Sequence, residues 1–450
     1  MFRKNRVVKH VFVTLLVLIA AVCAVAQRQN QAPLTLTFQD ALARARTNSV
    51  QFQSALTAQG LAHEDKVQAR AALLPSVNYD NAFIYTQGTG GSALTGANQE
   101  PGLAAPRFIA ANAVHEYLSQ GDVHQTLGFA EVSDYRRARA LESVAQAKAE
   151  IAARGLVVTL VQSYYGLISA QRKYATVQQA AAEAERFLNL SRKLENGGEV
   201  AHSDVIKAQI QFNDRQRDLR EAQLAMDKAR LDLAVLMFPD FNENFTVVDD
   251  TQLAPPLQSF EEFAKAAAAR NADVRASRAA FQAAGYQVSS ARGGYLPSLS
   301  LDYFYGIDAA QFAAHTPAGA RNLGYAASAT LSIPVWNWGA THSKVVQAGL
   351  QRRQAERELL QTQRKLRADM RTLYAEAEAA RSELELLKES AELAAEGLRL
   401  TNLRYQGGEA TVLEVVDAQN TLTQARNAYS DGEVRYRTAL ANLQTLTGTM

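Results

Sequence analysis

Apolar residues recur at three- and four-residue spacing along most of this chain and at every second position in a few short stretches, predicting long amphipathic helices interrupted by strands. The strands show best at Leu299, Leu301, Tyr303, Tyr305 and Ile307, opposite Ser298, Ser300 and Asp302, and at Leu323, Tyr325, Ala327, Ala329, Leu331, Ile333 and Val335. An earlier stretch places Val77, Tyr79, Phe83 and Tyr85 on one face. Its return, near His115 to Leu127, alternates much more weakly and is read as a strand because its counterpart is one.

These stretches belong to a unit written twice. Ala69-Arg70-x-x-x-Leu74-Pro75-Ser76 recurs as Ala291-Arg292-x-x-x-Leu296-Pro297-Ser298, and Phe38 recurs as Phe260, both at an offset of 222. Gly197-Gly198-Glu199, Asp204-Val205 and Ala208-Gln209 recur as Gly407-Gly408-Glu409, Glu414-Val415 and Ala418-Gln419 at an offset of 210, which Tyr164 and Tyr374 also keep. The difference of 12 lies after Leu-Pro-Ser, in a hairpin tip that is longer in the first copy (86–112 against 308–321). The division is 38–238 for the first repeat, 239–257 for a linker with Pro239 and Pro255-Pro256, and 258–447 for the second repeat.

Each copy reads as a helix of about 35 residues ending at Leu-Pro-Ser, where proline removes a hydrogen bond, then a hairpin, then a helix of about 65 residues. At 1.5 Å per residue that last helix is on the order of 100 Å long. A Gly-Gly pair stops it, and a helix of about 40 residues returns. The return helix of the second copy repeats Val415, Leu422, Tyr429, Tyr436 and Leu443 every seven residues, with Ala418, Ala425, Gly432, Ala439 and Leu446 three behind; the first copy has Val205, Phe212, Leu219, Met226 and Leu233. The preceding long helix carries Met370, Leu373, Ala377, Ala380, Leu384, Leu387, Ala391, Ala394 and Leu398 in the same habit. A seven-residue seam implies left-handed supercoiling, with the small residues allowing close approach. A second, polar stripe runs along Glu414, Asp417, Thr421, Gln424 and Asp431, matched by Asp204, Lys207, Gln211, Asp214 and Asp218; it reads either as a solvated outer face or as the lining of a water-filled interior.

Composition adds an address. Arg3, Lys4, Arg6 and Lys9 precede an apolar run, Val11 to Val22, and then Ala24-Val25-Ala26, the layout of a signal peptide over 1–26. No later apolar run reaches the roughly 20 residues of a membrane-crossing helix, so none is expected in the mature chain. The only cysteine, Cys23, is either a bystander in this leader or a lipidation site, although Val22 is an unusual residue before a lipidated cysteine. Without the four leading cations the chain has 43 basic and 45 acidic residues, which leaves no basic footprint for nucleic acid.

A secreted chain with amphipathic, aromatic-rich strands suggests an outer-membrane β-barrel, and four strands cannot close a barrel of useful bore alone. The duplicated plan of helix, Leu-Pro-Ser, hairpin, long helix, Gly-Gly and return helix resembles the TolC-type outer-membrane efflux proteins over residues 38–447. The resemblance implies a mainly α fold with a small β part. Long antiparallel helical hairpins form a periplasmic α-barrel, and four strands per chain contribute to a 12-stranded β-barrel in the outer membrane of a homotrimer. It implies an exit duct of a tripartite efflux or type I secretion system, partnered by an inner-membrane pump, a periplasmic adaptor (membrane fusion) protein and outer-membrane lipid. It also implies two acidic entrance rings at Glu414 and Asp417, a closing network at Tyr405, Ser203 and Asp204, and adaptor contacts at Gly197, Gly198, Glu199, Gly407, Gly408 and Glu409. Ala410 stands where the resemblance would place an arginine.

No enzyme is expected, and no cofactor. The seven histidines, at 10, 63, 115, 124, 202, 315 and 342, include no i,i+4 pair of the kind that holds zinc on a helix. Gly88-Thr89-Gly90-Gly91 lacks the Gly-Lys-Ser/Thr of a phosphate loop. Trp336 and Trp338 are read either as core packing or as an interfacial belt. The competing function is a secreted, non-conducting coiled-coil scaffold or adhesin, which leaves the strands and their repeated entry unexplained.

Overall fold

The computed structural model describes residues 34–85, 115–251 and 256–448, apart from 310, 317, 318 and 320; the leader, Cys23 and the first hairpin tip lie outside them. The elements among these residues are β1 (Leu34–Leu36), α1 (Phe38–Asn48), α2 (Val50–Ala71), β2 (Ser76–Tyr85), β3 (His115–Leu127), α3 (Phe129–Asn196), α4 (His202–Met237), β4 (Phe245–Val247), α5 (Phe260–Arg270), α6 (Ala272–Gly293), β5 (Ser298–Ala309), β6 (Leu323–Ser332), α7 (Ala340–Gln406) and α8 (Val412–Thr447). They form two units. One comprises 34–54, 152–271 and 367–448; the other comprises 55–151 and 272–366, so each sequence repeat contributes to both.

The second unit carries an antiparallel sheet in the order β2-β3-β5-β6. The weakly patterned return is a full strand of 13 residues, paired on both sides. Its alternation is faint because its outward row includes Ser119 and Gly121, which stand opposite Asn81 and Tyr79 on one side and Ile307 and Tyr305 on the other. The Tyr79 ring lies 3.9 Å from where a Gly121 Cβ would be, and the Tyr79 hydroxyl sits 2.9 Å from Ser119 Oγ, so flanking aromatics cover what the central strand lacks. On the expected apolar face Val77, Tyr79, Phe83, Tyr85, Tyr303, Tyr305 and Tyr325 are all exposed. The reverse face is polar: His124 Nδ1 lies 2.6 Å from Asp302 Oδ1, and the Ser328 hydroxyl donates to Asp302 Oδ2 at 3.2 Å. Strand β6 ends at Ser332, so Ile333 and Val335 fall outside it, because Pro334 has no amide hydrogen to continue the ladder.

Neither expected 35-residue helix is continuous. Each breaks at matched positions, Ser49 and Asn271, both in extended geometry (ψ 112° and 123°). The partners of these breaks are remote. Asn48 Nδ2 donates to the Met237 carbonyl at 2.5 Å and Asn271 Nδ2 to the Leu446 carbonyl at 3.2 Å, giving acceptors at the return-helix ends a donor they would otherwise lack. Ser49 Oγ then accepts the Phe52 amide and starts α2.

The core of the first unit is built on Leu156, Leu160, Val161, Tyr164, Leu167 and Ile168 of α3, against Leu36, Phe245, Leu233 and Met237. By length and composition alone α3 is apolar enough to cross a membrane. Its apolar residues are interspersed with Gln162, Ser163 and Gly166 rather than forming an unbroken run, and Leu156, Val157, Leu160, Val161, Leu167 and Ile168 among them are buried in protein. The interrepeat segment is also structured, since β4 pairs in parallel with β1. The Tyr164 hydroxyl donates to the Val248 carbonyl at 2.7 Å and approaches that of Leu36 at 3.1 Å, and burial pushes its ionisation well above the ordinary tyrosine range. Arg172 holds Asp249, Thr251 and the buried Glu433, and Arg437 donates to Asp250 at 2.9 Å and to the Tyr165 hydroxyl at 3.0 Å, tying the segment to α3 and α8.

The return helices are 36 residues each and the long helices 68 and 67. The seam is in place: Val415, Leu422, Tyr436, Ala439 and Leu443 are buried, and a Cβ on Gly432 would come within 2.7 Å of Leu387 Cδ1.

Candidate functional site

Both Gly-Gly turns follow one design. Helix α3 closes with Gly198 N–H to the Glu195 carbonyl at 2.9 Å and Glu199 N–H to Leu194 at 2.9 Å; α7 closes with Gly408 N–H to Tyr405 at 3.1 Å and Glu409 N–H to Arg404 at 2.8 Å. This pair of bonds satisfies orphan carbonyls only if the second glycine is left-handed, and Gly198 and Gly408 have φ of 77° and 75°. Gly197, Gly407, Glu199 and Glu409 are exposed around them.

The two tips rest on one apolar cluster of Phe187, Leu188, Val205, Ala208, Tyr405, Val412 and Val415. Tyr405 is 4% exposed, with its hydroxyl 3.2 Å from Ser191 Oγ and its ring centroid 5.0 Å from that of Phe187. The resemblance grouped Tyr405 with Ser203 and Asp204. Within one chain they lie apart in role: Ser203 is exposed, and Asp204 accepts from Lys207 at 3.2 Å.

The tips differ where α4 and α8 begin. Thr411 makes a capping box: its hydroxyl accepts from the Glu414 amide at 3.3 Å, and Glu414 Oε1 accepts from the Thr411 amide at 3.1 Å. Arg404 reinforces it, reaching Glu414 Oε2 at 3.5 Å and the Glu409 carbonyl at 3.1 Å. The Thr411 amide and hydroxyl, with Arg404 beside them, hold the Glu414 carboxyl below the usual glutamate range. The matched residues of the first copy are Ala201, which has no side-chain cap, and Leu194. Arg404 is thus the tip arginine of this chain, beside Ala410, and it acts within its own hairpin. The Thr-x-x-Glu spacing was the legible signal for the cap. Ala201→Thr, with Asp204 already three positions on, is expected to complete the missing box and to stabilise the first turn of α4 by about 1 kcal/mol, read as slowed amide exchange there. Unchanged exchange would mean that the first tip cannot adopt the capping geometry.

Glu414 and Asp417 are both exposed, one turn apart on α8. The matching stripe on α4 is largely neutralised by its own cations: Lys207 meets Asp204, Arg217 meets Asp214 at 3.4 Å, and Arg215 meets Asp218 at 3.0 Å. Asp431 pairs with Lys173 at 2.8 Å. On α8 Arg404 answers Glu414 at 3.5 Å in the same way, so Asp417 is the acid at the tip ends of the two stripes that has no ion pair among the described residues. Among the described residues no three His, Cys, Asp or Glu side chains group to hold a metal ion.

Residues 264–449 match the sequence profile described as Outer membrane efflux protein. The chain is 25% identical over 413 residues to the outer membrane protein TolC of Vibrio cholerae, covering 90% of this chain and 89% of that protein. It is 22% identical over 422 residues to the protease secretion protein PrtF of Dickeya chrysanthemi, covering 91% and 88%. Its fold is similar to the Campylobacter jejuni CmeC outer membrane channel, with a TM-score of 0.76, 16% identity, and 91% of this chain and 85% of that one covered.

Proposed function

We infer that this chain is a TolC-type outer-membrane efflux protein: the exit duct of a tripartite efflux or type I secretion system, passing solutes from periplasm to exterior. The observation that carries the reading is the four-stranded sheet. It has aromatic side chains exposed on one face, a polar reverse face, and edges β2 and β6 with no further strand beside them among the described residues. In lipid such edges must be paired, and a closed barrel is the arrangement that leaves none. Three copies supply twelve strands under cyclic symmetry, the homotrimer of the family. Helices α3 and α7, which begin within a few residues of the ends of β3 and β6, carry the duct into the periplasm.

The work is conduction and not catalysis. An inner-membrane pump hands cargo over through a periplasmic adaptor, which docks on the exposed turns at Gly197–Glu199 and Gly407–Glu409. Gating takes place at the same tips, pivoting on the cluster around Tyr405. Ser203 and Asp204 would close the gate against a neighbouring subunit's hairpin, a reading supported by their being exposed and half-exposed within one chain. Glu414 and Asp417 of three subunits line the entrance.

A secreted scaffold does not account for a sheet face of exposed tyrosines, which would be an aggregation site in water. Purified protein in mild detergent is expected to have the mass of a trimer, to shift in gel mobility on heating, and to give ion-conducting steps in planar bilayers. A monomer that conducts nothing would overturn the reading.

A further inference from the structure

The strands β2, β3, β5 and β6 contain five acids and neither lysine nor arginine. Asp80, Glu116, Asp122, Asp302 and Asp308 all fall on the polar face of the sheet, opposite Gln120, Ile84, Asn78, Ser328 and Leu118. Asp302 is answered by His124 and by the Ser328 hydroxyl. At the other end of the sheet Glu116 and Asp308 have no such partner. Leu118 pairs with Asp308, which makes Glu116 the diagonal neighbour of Asp308 across the β3–β5 pair, and the two carboxyls lie within hydrogen-bond reach of each other. Glu116 is only 6% exposed, and its Oε2 has no hydrogen-bond partner among the described residues. Asp308 beside it is open to solvent.

Two carboxylates this close repel each other, and burying one of them adds to the cost unless a positive charge comes between them. The strands themselves supply none. A hard divalent cation takes carboxylate oxygens singly or in pairs and fills its remaining positions with water or carbonyl oxygens, which suits one buried carboxyl beside one open to solvent. A donor set of oxygens alone favours magnesium or calcium over zinc or copper. We propose that Glu116 and Asp308 bind a hard divalent cation of the magnesium or calcium class, at the end of the sheet away from the long helices. Strand β3 belongs to the first repeat and β5 to the second, so the cation joins the two repeats at the seam between their hairpins. On the outer-membrane reading above, that seam ends at the external rim of the duct.

Terbium is a luminescent stand-in for calcium that nearby tyrosines excite, and Tyr117 and Tyr305 flank the two acids in β3 and β5. The full chain in mild detergent, carrying Glu414→Gln and Asp417→Asn so that the tip acids do not compete, would be stripped with EDTA and titrated with terbium and then with calcium. About one terbium per chain is expected, displaced by excess calcium. Asp308→Asn, at an exposed position, and Glu116→Gln are each expected to weaken terbium binding about tenfold, because affinity at such sites follows the number of charged ligands. Unchanged affinity in either variant would overturn the proposal. So would the lack of any tyrosine-excited emission before they are made, the result of a proton shared between the carboxyls. The site needs the sheet of one chain only, so a monomer that binds terbium and conducts nothing would sink the duct reading and leave the cation site standing.

Discussion

Neutralising Glu414 and Asp417 is expected to remove most of the channel's preference for cations. On the proposed trimer these two side chains would place six carboxylates around one entrance. A unit charge about 8 Å from a passing monovalent cation, in water and at physiological salt, raises its local concentration roughly 1.4-fold, and six compound to about sevenfold. At 1 M salt, where the screening length is about 3 Å, the same ring is worth only about 1.5-fold. The variant to make is Glu414→Gln with Asp417→Asn, because glutamine can still accept the Thr411 amide and keep the cap that alanine would destroy. Reversal potentials in planar bilayers under a salt gradient would read the change, and trimer mass should stay as it was. A selectivity equal to that of the unmodified protein at low salt would put both acids outside the conduction path. The pH dependence has a definite sign. The carboxyl of Glu414 is held below the usual glutamate range, so its charge is present at neutral pH and is lost only as pH falls through that lowered value.

Tyr164→Ala is expected to destabilise the first unit by about 3–5 kcal/mol, through lost burial and the cavity left behind. The side chain is fully buried, stacks edge-on with Phe38 at 5.6 Å and Tyr165 at 5.4 Å, and carries the contact that holds β4 to α3. Tyr164→Phe separates the two contributions. It keeps the ring, and the Leu36 carbonyl keeps the Val248 amide at 3.0 Å, so the Val248 carbonyl is left without the tyrosine hydroxyl. A cost near 1 kcal/mol is expected, at the low end for an orphaned acceptor. Amide exchange in β1 and β4 would resolve both, with large acceleration in the alanine variant and slight acceleration in the phenylalanine one. Equal effects would mean that the hydroxyl, not the ring, organises this core.

Tyr374, the counterpart of Tyr164 in the second repeat, shows how far the duplication reaches. It meets Phe260 at 5.4 Å as Tyr164 meets Phe38, but it is only half-buried. The ring pair recurs in both copies, and in the first the tyrosine hydroxyl also holds the Val248 carbonyl next to the β1–β4 pair.

What the sequence determined by itself was everything set by local periodicity and turn chemistry. The doubled plan, the long helices with their seven-residue seams, the glycine stops and the outward tyrosines all report which face of an element is buried, and that pattern is written in neighbouring residues. Tertiary structure decided what depends on partners far along the chain. The helix breaks at Ser49 and Asn271 exist for carbonyls at Met237 and Leu446; β3 is a strand because β2 and β5 satisfy its backbone on both sides; and within the chain the Tyr405 hydroxyl meets Ser191. A backbone polar group or a buried hydroxyl must find a partner, but which partner is fixed only when distant segments have packed, and no local spacing records that.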